Sequence, residues 1–180
     1  MNQPASAYFI SEEKPEIIRT TLAVIVKNEP GVLGRVVGLF SARGYNIESL
    51  TVAETDHAKH TSRITIVTSG TSATLAQIKA QLNRIVPVKR VIDFHGDSDA
   101  LSRELALIKV AGKGDDRVES LRLADAFKAK VLDAGLEHFT FELTGSSKKL
   151  DDFISMMKPL GLVEVSRTGV ATIRRGKGKV

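Results

Sequence analysis

Three residues near the start of the chain, Asn28, Gly31 and Asn46, have the types needed to hold a small zwitterion. The side-chain amides of Asn28 and Asn46 can both donate and accept hydrogen bonds, and Gly31, lacking a Cβ, lets a ligand approach the backbone closely. The run Asn28-Glu29-Pro30-Gly31 reads as a corner that opens a helix. Backbone N–H groups of a first helical turn are unpaired and lie at the positive end of the helix dipole, so a carboxylate fits there. A ligand with a carboxylate to be donated to and an ammonium to be accepted from is an α-amino acid. Val32, Leu33 and Ile47 flank these polar groups and would contact an apolar side chain. The same residues also allow a plain structural reading, in which Asn28 caps the helix and Asn46 shapes a turn.

The elements that must position these groups follow from hydrophobic periodicity. Leu22, Val24 and Val26 alternate along a strand over 19–27, and a helix follows over 32–43, burying Leu33, Val36, Val37 and Phe40 until Gly44 stops it. A second strand is expected from Tyr45 to Asp56, pairing as a hairpin with 63–68. Leu75, Ile78, Leu82 and Ile85 then form a helical stripe ended by Pro87, and Val88 to Phe94 reads as a last strand. Strand-helix-strand-strand-helix-strand is the ferredoxin-like order, an antiparallel sheet with both helices on one face. The opening helix is roughly 15 to 18 Å long, so Asn28 and Gly31 at one end cannot share one small ligand with Asn46 at the other within a single chain. A homodimer joined through this first domain would bring the two ends together.

Gly96-Asp97-Ser98-Asp99 marks a boundary, and the order then recurs. A strand runs through Leu105, Leu107 and Val110. A helix follows over 115–128 with Val118, Leu121, Ala124 and Phe127 as its stripe, then strands over 129–133 and 138–144. A helix over 147–158 buries Leu150, Phe153, Ile154 and Met157, and one closing strand covers 162–173. The periodicity between Lys128 and Ala134 also permits continuous helix. The first half's motif is not echoed in the second, which reads as a diverged domain. The fold class is thus α+β, with domains at 18–96 and 101–173, an N-terminal extension at 1–17 holding the apolar cluster Tyr8-Phe9-Ile10, and a basic tail at 174–180.

Other constellations carry less. His57 and His60 stand three apart in a polar loop with Asp56 nearby, a spacing that also occurs in metal sites, but they read as solvated. His95 and His138 stand alone. Ser146-Ser147-Lys148-Lys149 matches Ser-x-x-Lys without its partner motifs, and Gly145-Ser146 before an apolar stripe is a helix N-cap signature. Gly112-Lys113-Gly114 lacks the further residues of a dinucleotide or phosphate loop. Asp115-Asp116 and Asp151-Asp152 sit at helix beginnings, where negative charge suits the dipole. No nucleophile, base and oxyanion site assemble, and no catalytic or metal-ligating residue is assigned.

Composition bounds the partners. The net charge is +5, yet Arg174, Arg175, Lys177 and Lys179 cluster at the C-terminal end, leaving the preceding chain nearly neutral. A nucleic-acid surface is not implied. RNA-recognition domains share the ferredoxin-like order, but aromatics are only 5% of this chain and none lies in 63–68 to stack a base. Cysteine is absent, so neither disulfide nor thiolate chemistry is available. No apolar run approaches a membrane span and no secretory leader pattern opens the sequence, so a cytoplasmic protein is expected.

The run Asn28-Glu29-Pro30-Gly31-Val32-Leu33, then Arg35 to Ser41, then Arg43-Gly44-Tyr45-Asn46-Ile47-Glu48-Ser49-Leu50-Thr51-Val52-Ala53 closely resembles the regulatory small subunits of acetolactate synthase (acetohydroxyacid synthase). Asn-x-x-Gly-x-Leu alone indicates an ACT domain; the Arg-Gly-Tyr-Asn-Ile-Glu-Ser-Leu continuation is specific to the small subunits. The resemblance extends from about Ile18 to Ile173, more loosely in the second half. It implies a non-catalytic chain that binds valine or a related branched-chain amino acid through Asn28, Gly31, Val32, Leu33, Asn46 and Ile47. It also implies that the chain activates a separate large catalytic subunit and confers feedback inhibition on it. That partner would carry thiamine diphosphate, Mg²⁺ and FAD, with no cofactor on this chain. The rival reading is a free-standing ACT-domain sensor that controls another target.

Overall fold

The structure, a computed structural model, describes residues 16–178. Most of the extension expected at 1–17, including Tyr8-Phe9-Ile10, lies outside the described residues, as does Lys179. The first half runs β1 (Ile18–Lys27), α1 (Val32–Ala42), β2 (Ser49–Asp56), β3 (Thr61–Gly70), α2 (Ser72–Leu82) and β4 (Val88–Asp93). The second runs β5 (Ala100–Val110), α3 (Gly114–Phe127), β6 (Lys130–Ala134), β7 (Phe139–Gly145), α4 (Ser147–Met157), β8 (Leu162–Arg167) and β9 (Ala171–Arg174). The sheets are antiparallel, in the orders β2-β3-β1-β4 and β6-β7-β5-β8. Two ferredoxin-like α+β units result.

Strand alternation decides which face each sheet buries. In the first, Leu22, Val24 and Val26 of β1 and Ile64 and Ile66 of β3 face Val32, Val36 and Phe40 of α1 and Leu75, Ile78 and Leu82 of α2. In the second, Ala106, Ile108 and Val110 of β5 and Phe139, Phe141 and Leu143 of β7 meet Ala124 of α3 and Leu150, Phe153 and Met157 of α4. Phe153 sits between Phe127 and Phe141, with ring centroids 5.2 and 6.1 Å away. Side chains of this size, fully buried, each contribute about 1.5–3 kcal/mol of burial free energy.

Several elements depart from the expected ones. In α1 the buried stripe is Val32, Val36 and Phe40, at i, i+4 and i+8, whereas Leu33 is 38% exposed and Val37 half-buried. Apolar residues occupy so much of this helix that two phases satisfy the periodicity, and the sheet above it selects one. The second strand begins at Ser49 and not at Tyr45. Gly44 adopts a φ of +68°, Tyr45 N donates back to Phe40 O at 3.0 Å and the Tyr45 ring meets Phe40 edge-on, so 45–48 form a loop. Helix α2 ends at Leu82, and Ile85 packs on the core from the following turn. In α3, Val118 is exposed while Ser120 and Ala124 are buried. Lys128, at φ +57°, ends that helix and releases the chain into β6, so 130–134 is a strand.

The expected single closing strand is two. At Gly169, φ is +81°, a left-handed conformation that interrupts the ladder between β8 and β5, and β9 resumes it against Ala100–Arg103 at the start of β5. Arg174, expected in the tail, is therefore the last residue of β9. It donates to Asp97 at 2.6 Å, a bond that holds the Asp97 carboxyl below its ordinary range. The segment from Thr168 to Thr172 lies over the face of the first sheet that points away from the helices. Ala23, Thr65 and Val67 on that face are buried, as are Val170 and Thr172 opposite them, and Arg63 donates to Thr172 O at 2.5 Å.

Candidate effector site

The Gly31 corner is built from the end of β1. Asn28 N donates to His60 O at 2.7 Å and Lys27 N to Pro87 O at 2.8 Å, fixing the chain where it leaves the sheet. Gly31 is the N-cap of α1 at φ +81°, and no side chain caps the helix. Arg35 N donates to Gly31 O at 3.0 Å, the first bond of the helical ladder. Leu33 and Gly34 therefore precede any intrahelical acceptor, and their N–H groups are free for an anion. Val32 N is engaged with Glu29 O at 3.3 Å. No acidic residue occupies the first turn, and a Cβ added at Gly31 would meet nothing within 4 Å. The corner is electropositive and open. Beside it Glu29 is paired with Lys27, which holds the Glu29 carboxyl below its ordinary range and offsets its charge.

Asn28 and Asn46 are both exposed, and among the described residues neither side-chain amide has a hydrogen-bond partner. Asn28 thus does not cap α1. The Asn46 backbone O accepts from Thr68 Oγ1 at 2.6 Å, which shapes the loop while leaving the amide outward. Of the expected apolar contacts, Leu33 is exposed beside the corner and Ile47 is half-buried beside Asn46. Val32 faces the core, so only its backbone borders the corner. Within one chain the structure keeps two groups apart: Asn28, Gly31 and Leu33 at the start of α1, and Asn46 and Ile47 past its end, separated by a helix of 11 residues, about 16 Å.

The remaining candidates resolve as structure. Ser146 Oγ accepts from Lys149 N at 3.3 Å, a helix N-cap, and Asp115 and Asp116 occupy the first turn of α3. Asp151 lies beyond the first turn of α4 and pairs instead with Arg167 at 2.6 Å. His57 Nδ1 lies 2.7 Å from Glu54, and among the described residues no three His, Asp or Glu side chains gather to hold a metal ion. Nor is any described helix long and apolar enough to cross a membrane.

One region escapes a reading of the sequence. A cleft of about 390 Å³ opens where the two sheets meet, lined by Arg19 and Glu48 on one side and Glu104, Asp151 and Arg167 on the other. Arg167 forks onto Glu104 with two 2.7 Å bonds, which raises its pKa further above an ordinary arginine, and Arg19 Nε donates to Glu48 at 2.6 Å. The usable signal was Gly169, a glycine inside an apparent strand.

A family model described as the small subunit of acetolactate synthase matches residues 103–176, and one described as the AHAS small subunit-like ACT domain matches residues 22–90. The acetolactate synthase small subunit of Mycolicibacterium smegmatis is 42% identical over 156 residues, covering 87% of this chain and 91% of that one. This chain belongs to the acetolactate synthase small-subunit family. The isozyme 3 small subunit of Salmonella typhimurium is likewise 42% identical, over 88% of this chain and 97% of its own length. A crystal structure of the acetolactate synthase small subunit from Thermotoga maritima, 32% identical, superposes with a TM-score of 0.79 over 89% of this chain and 99% of that one. Both ferredoxin-like units are thus shared with a small subunit, and the Gly31 corner belongs to the ACT domain.

Proposed function

We propose that this chain is a regulatory subunit that binds valine, or a related branched-chain amino acid, at the Gly31 corner and sets the activity of a separate acetolactate synthase catalytic subunit. The observation that carries the reading is the uncapped, acid-free start of α1, with free Leu33 and Gly34 N–H groups and an open approach at Gly31. The ligand carboxylate lies on those donors and accepts from the Asn28 amide. Asn46 of a second copy supplies an amide oxygen to the ammonium, and Leu33 and that copy's Ile47 contact the aliphatic side chain. Homodimerisation through the ACT domains supplies the second copy, and a two-fold axis makes two equivalent sites.

In this reading the chemistry stays on the partner, which uses thiamine diphosphate, Mg²⁺ and FAD to condense two pyruvates, or pyruvate with 2-oxobutyrate. The names of the relatives support the assignment, since each is called a small subunit. The test is reconstitution. Alone, the chain should form no acetolactate from pyruvate. Added to the large subunit it should raise the rate, and valine should then lower it. Failure to bind a thiamine-dependent large subunit would favour a free-standing sensor.

A further inference from the structure

The ACT domain and the second domain are not merely tethered by the linker at residues 94–99. Besides the Arg63–Thr172 contact, they meet at a clasp around Gly169, between β8 and β9. Thr51 Oγ1 donates to Thr168 O at 3.2 Å, and Val170 N donates to Ser49 Oγ at 3.2 Å, so two hydrogen bonds straddle Gly169. A Cβ on residue 169 would lie 2.7 Å from both Ser49 Oγ and Thr51 Oγ1, and the φ of +81° already disfavours any side chain. Only glycine lets the turn lie this close to β2.

We infer that this clasp is the joint through which occupancy of the effector site reaches the second domain. The inference rests on the amino-acid reading given above. On the ACT side, Ser49 follows the proposed ligand residues Asn46 and Ile47 with Glu48 alone between. Glu48 is held by the Ser69 hydroxyl and by the Arg19 guanidinium, contacts that depress its pKa, and its N–H donates to Val67 O at 2.8 Å. Any shift of the 45–47 loop therefore bears on the first residues of β2, an edge strand, before it bears on the rest of the sheet.

On the other side the turn is bound into the second domain with no slack. Thr168 N donates to Leu105 O at 3.0 Å and Leu105 N to Thr168 Oγ1 at 3.2 Å. The preceding residue, Arg167, forks onto Glu104 and reaches Asp151 on α4, while Ser147 Oγ at the start of α4 donates to Glu104 at 3.1 Å. Residues 46 to 51, the turn at 168–170, β5 and α4 thus form one unbroken run of short contacts.

Beside the clasp the domains separate to leave the cleft between Arg19–Glu48 and Arg167–Asp151. A tight contact at one edge of an open cleft is the geometry of a rocking joint. The two ion-paired walls approach or part as the second domain pivots on Gly169. Contiguity alone does not make a coupling path, so the experiment must read coupling directly.

Hydrogen exchange is followed with and without valine in the full-length wild type, in Gly169→Val, and in the double variant Ser49→Ala with Thr51→Ala. The double variant removes the two side-chain bonds without a steric wedge and carries the test if Gly169→Val fails to fold. Calorimetry should show that each folded protein binds valine. In wild type, protection should spread beyond 28–51 into β5 and α4. In the clasp variants, which leave the Arg63–Thr172 bond in place, that spread into β5 and α4 should shrink severalfold, and valine inhibition of the reconstituted enzyme should fall at least fivefold. Wild type that binds valine without any change in β5 or α4, or variants that transmit as wild type does, would overturn the joint. Wild type that binds no branched-chain amino acid would overturn the effector reading itself, and the joint with it.

Discussion

The two ferredoxin-like units each begin with a strand that turns a glycine-containing corner into a helix, but the two helices begin with different charge. At α1 the corner is bare: no side-chain cap, no acidic residue in the first turn and nothing within 4 Å of a Cβ on Gly31. At α3 it is filled. Asp115 and Asp116 occupy the first turn, a Cβ on Gly112 would meet Leu160 O at 3.1 Å, and Ala111 N is bonded to Gly161 O at 2.8 Å. The second helix satisfies its dipole with its own carboxylates. The first carries no such charge of its own, and this difference supports the proposal that a carboxylate from outside is held at α1.

The largest effect should come from giving the first corner what the second already has. Gly31→Asp places a carboxylate beside the free Leu33 and Gly34 N–H groups. There it competes for the donors and repels a like charge. Valine affinity should fall by more than about 100-fold, some 3 kcal/mol, while the reconstituted enzyme is still stimulated. A variant as valine-sensitive as wild type would remove the site from this corner.

Closely following in size, alanine at the two kinds of glycine should separate open from crowded backbone. Gly161, at φ +92°, would place a Cβ 2.0 Å from Ala111 O, so Gly161→Ala should destabilise by about 3 kcal/mol or more. Gly31→Ala meets no atom and bears only the left-handed backbone cost, about 1 kcal/mol. Denaturant midpoints measure both, and equal shifts would contradict the contrast.

Much of this was legible before the structure. Alternation in β1 and β3 and the stripes of α2 and α4 yield both ferredoxin-like units, because each element's period matches the layer it buries. What the sequence hides is settled by contacts distant in the chain. The choice of Val32 over Leu33 is made by Ile64 and Ile66, which lie some thirty residues away. The split of the closing strand depends on β9 finding Ala100–Arg103, and the engagement of Arg174 depends on Asp97. At the proposed site, residue types point to the corner, and the structure adds that the Val32 side chain is buried in the core and that Asn46 lies a helix length from Gly31.

A smaller effect should sharpen the ligand side of the comparison. Threonine resembles valine in shape but brings a hydroxyl that, in the proposed pocket of Leu33 and Ile47, would have no partner. Its binding should be weaker by about 1–3 kcal/mol in a calorimetric titration. Equal affinities would remove these residues from the side-chain pocket.

The smallest concerns how the ACT domain keeps its own charge. Asp93 on β4 is partly desolvated, which alone would raise its pKa, yet bonds from Lys79 at 2.7 Å and Thr20 at 2.6 Å hold it below its ordinary 3.8. A folded-state pKa lower than the unfolded one adds stability above pH 3.8 that is lost as the pH falls through the folded value. Asp93→Asn should cost about 1 kcal/mol at pH 7 and reduce the loss of stability in acid. Identical acid unfolding profiles for variant and wild type would contradict this.

The central claim, a site shared between the Gly31 corner of one chain and Asn46 of another, is tested most directly by complementation. Gly31→Asp and Asn46→Ala homodimers should each bind valine poorly. When the two chains are co-expressed, one site in each heterodimer joins an intact corner to an intact Asn46. Calorimetry should then recover one high-affinity site per heterodimer. A mixture as silent as either parent would contradict the shared site.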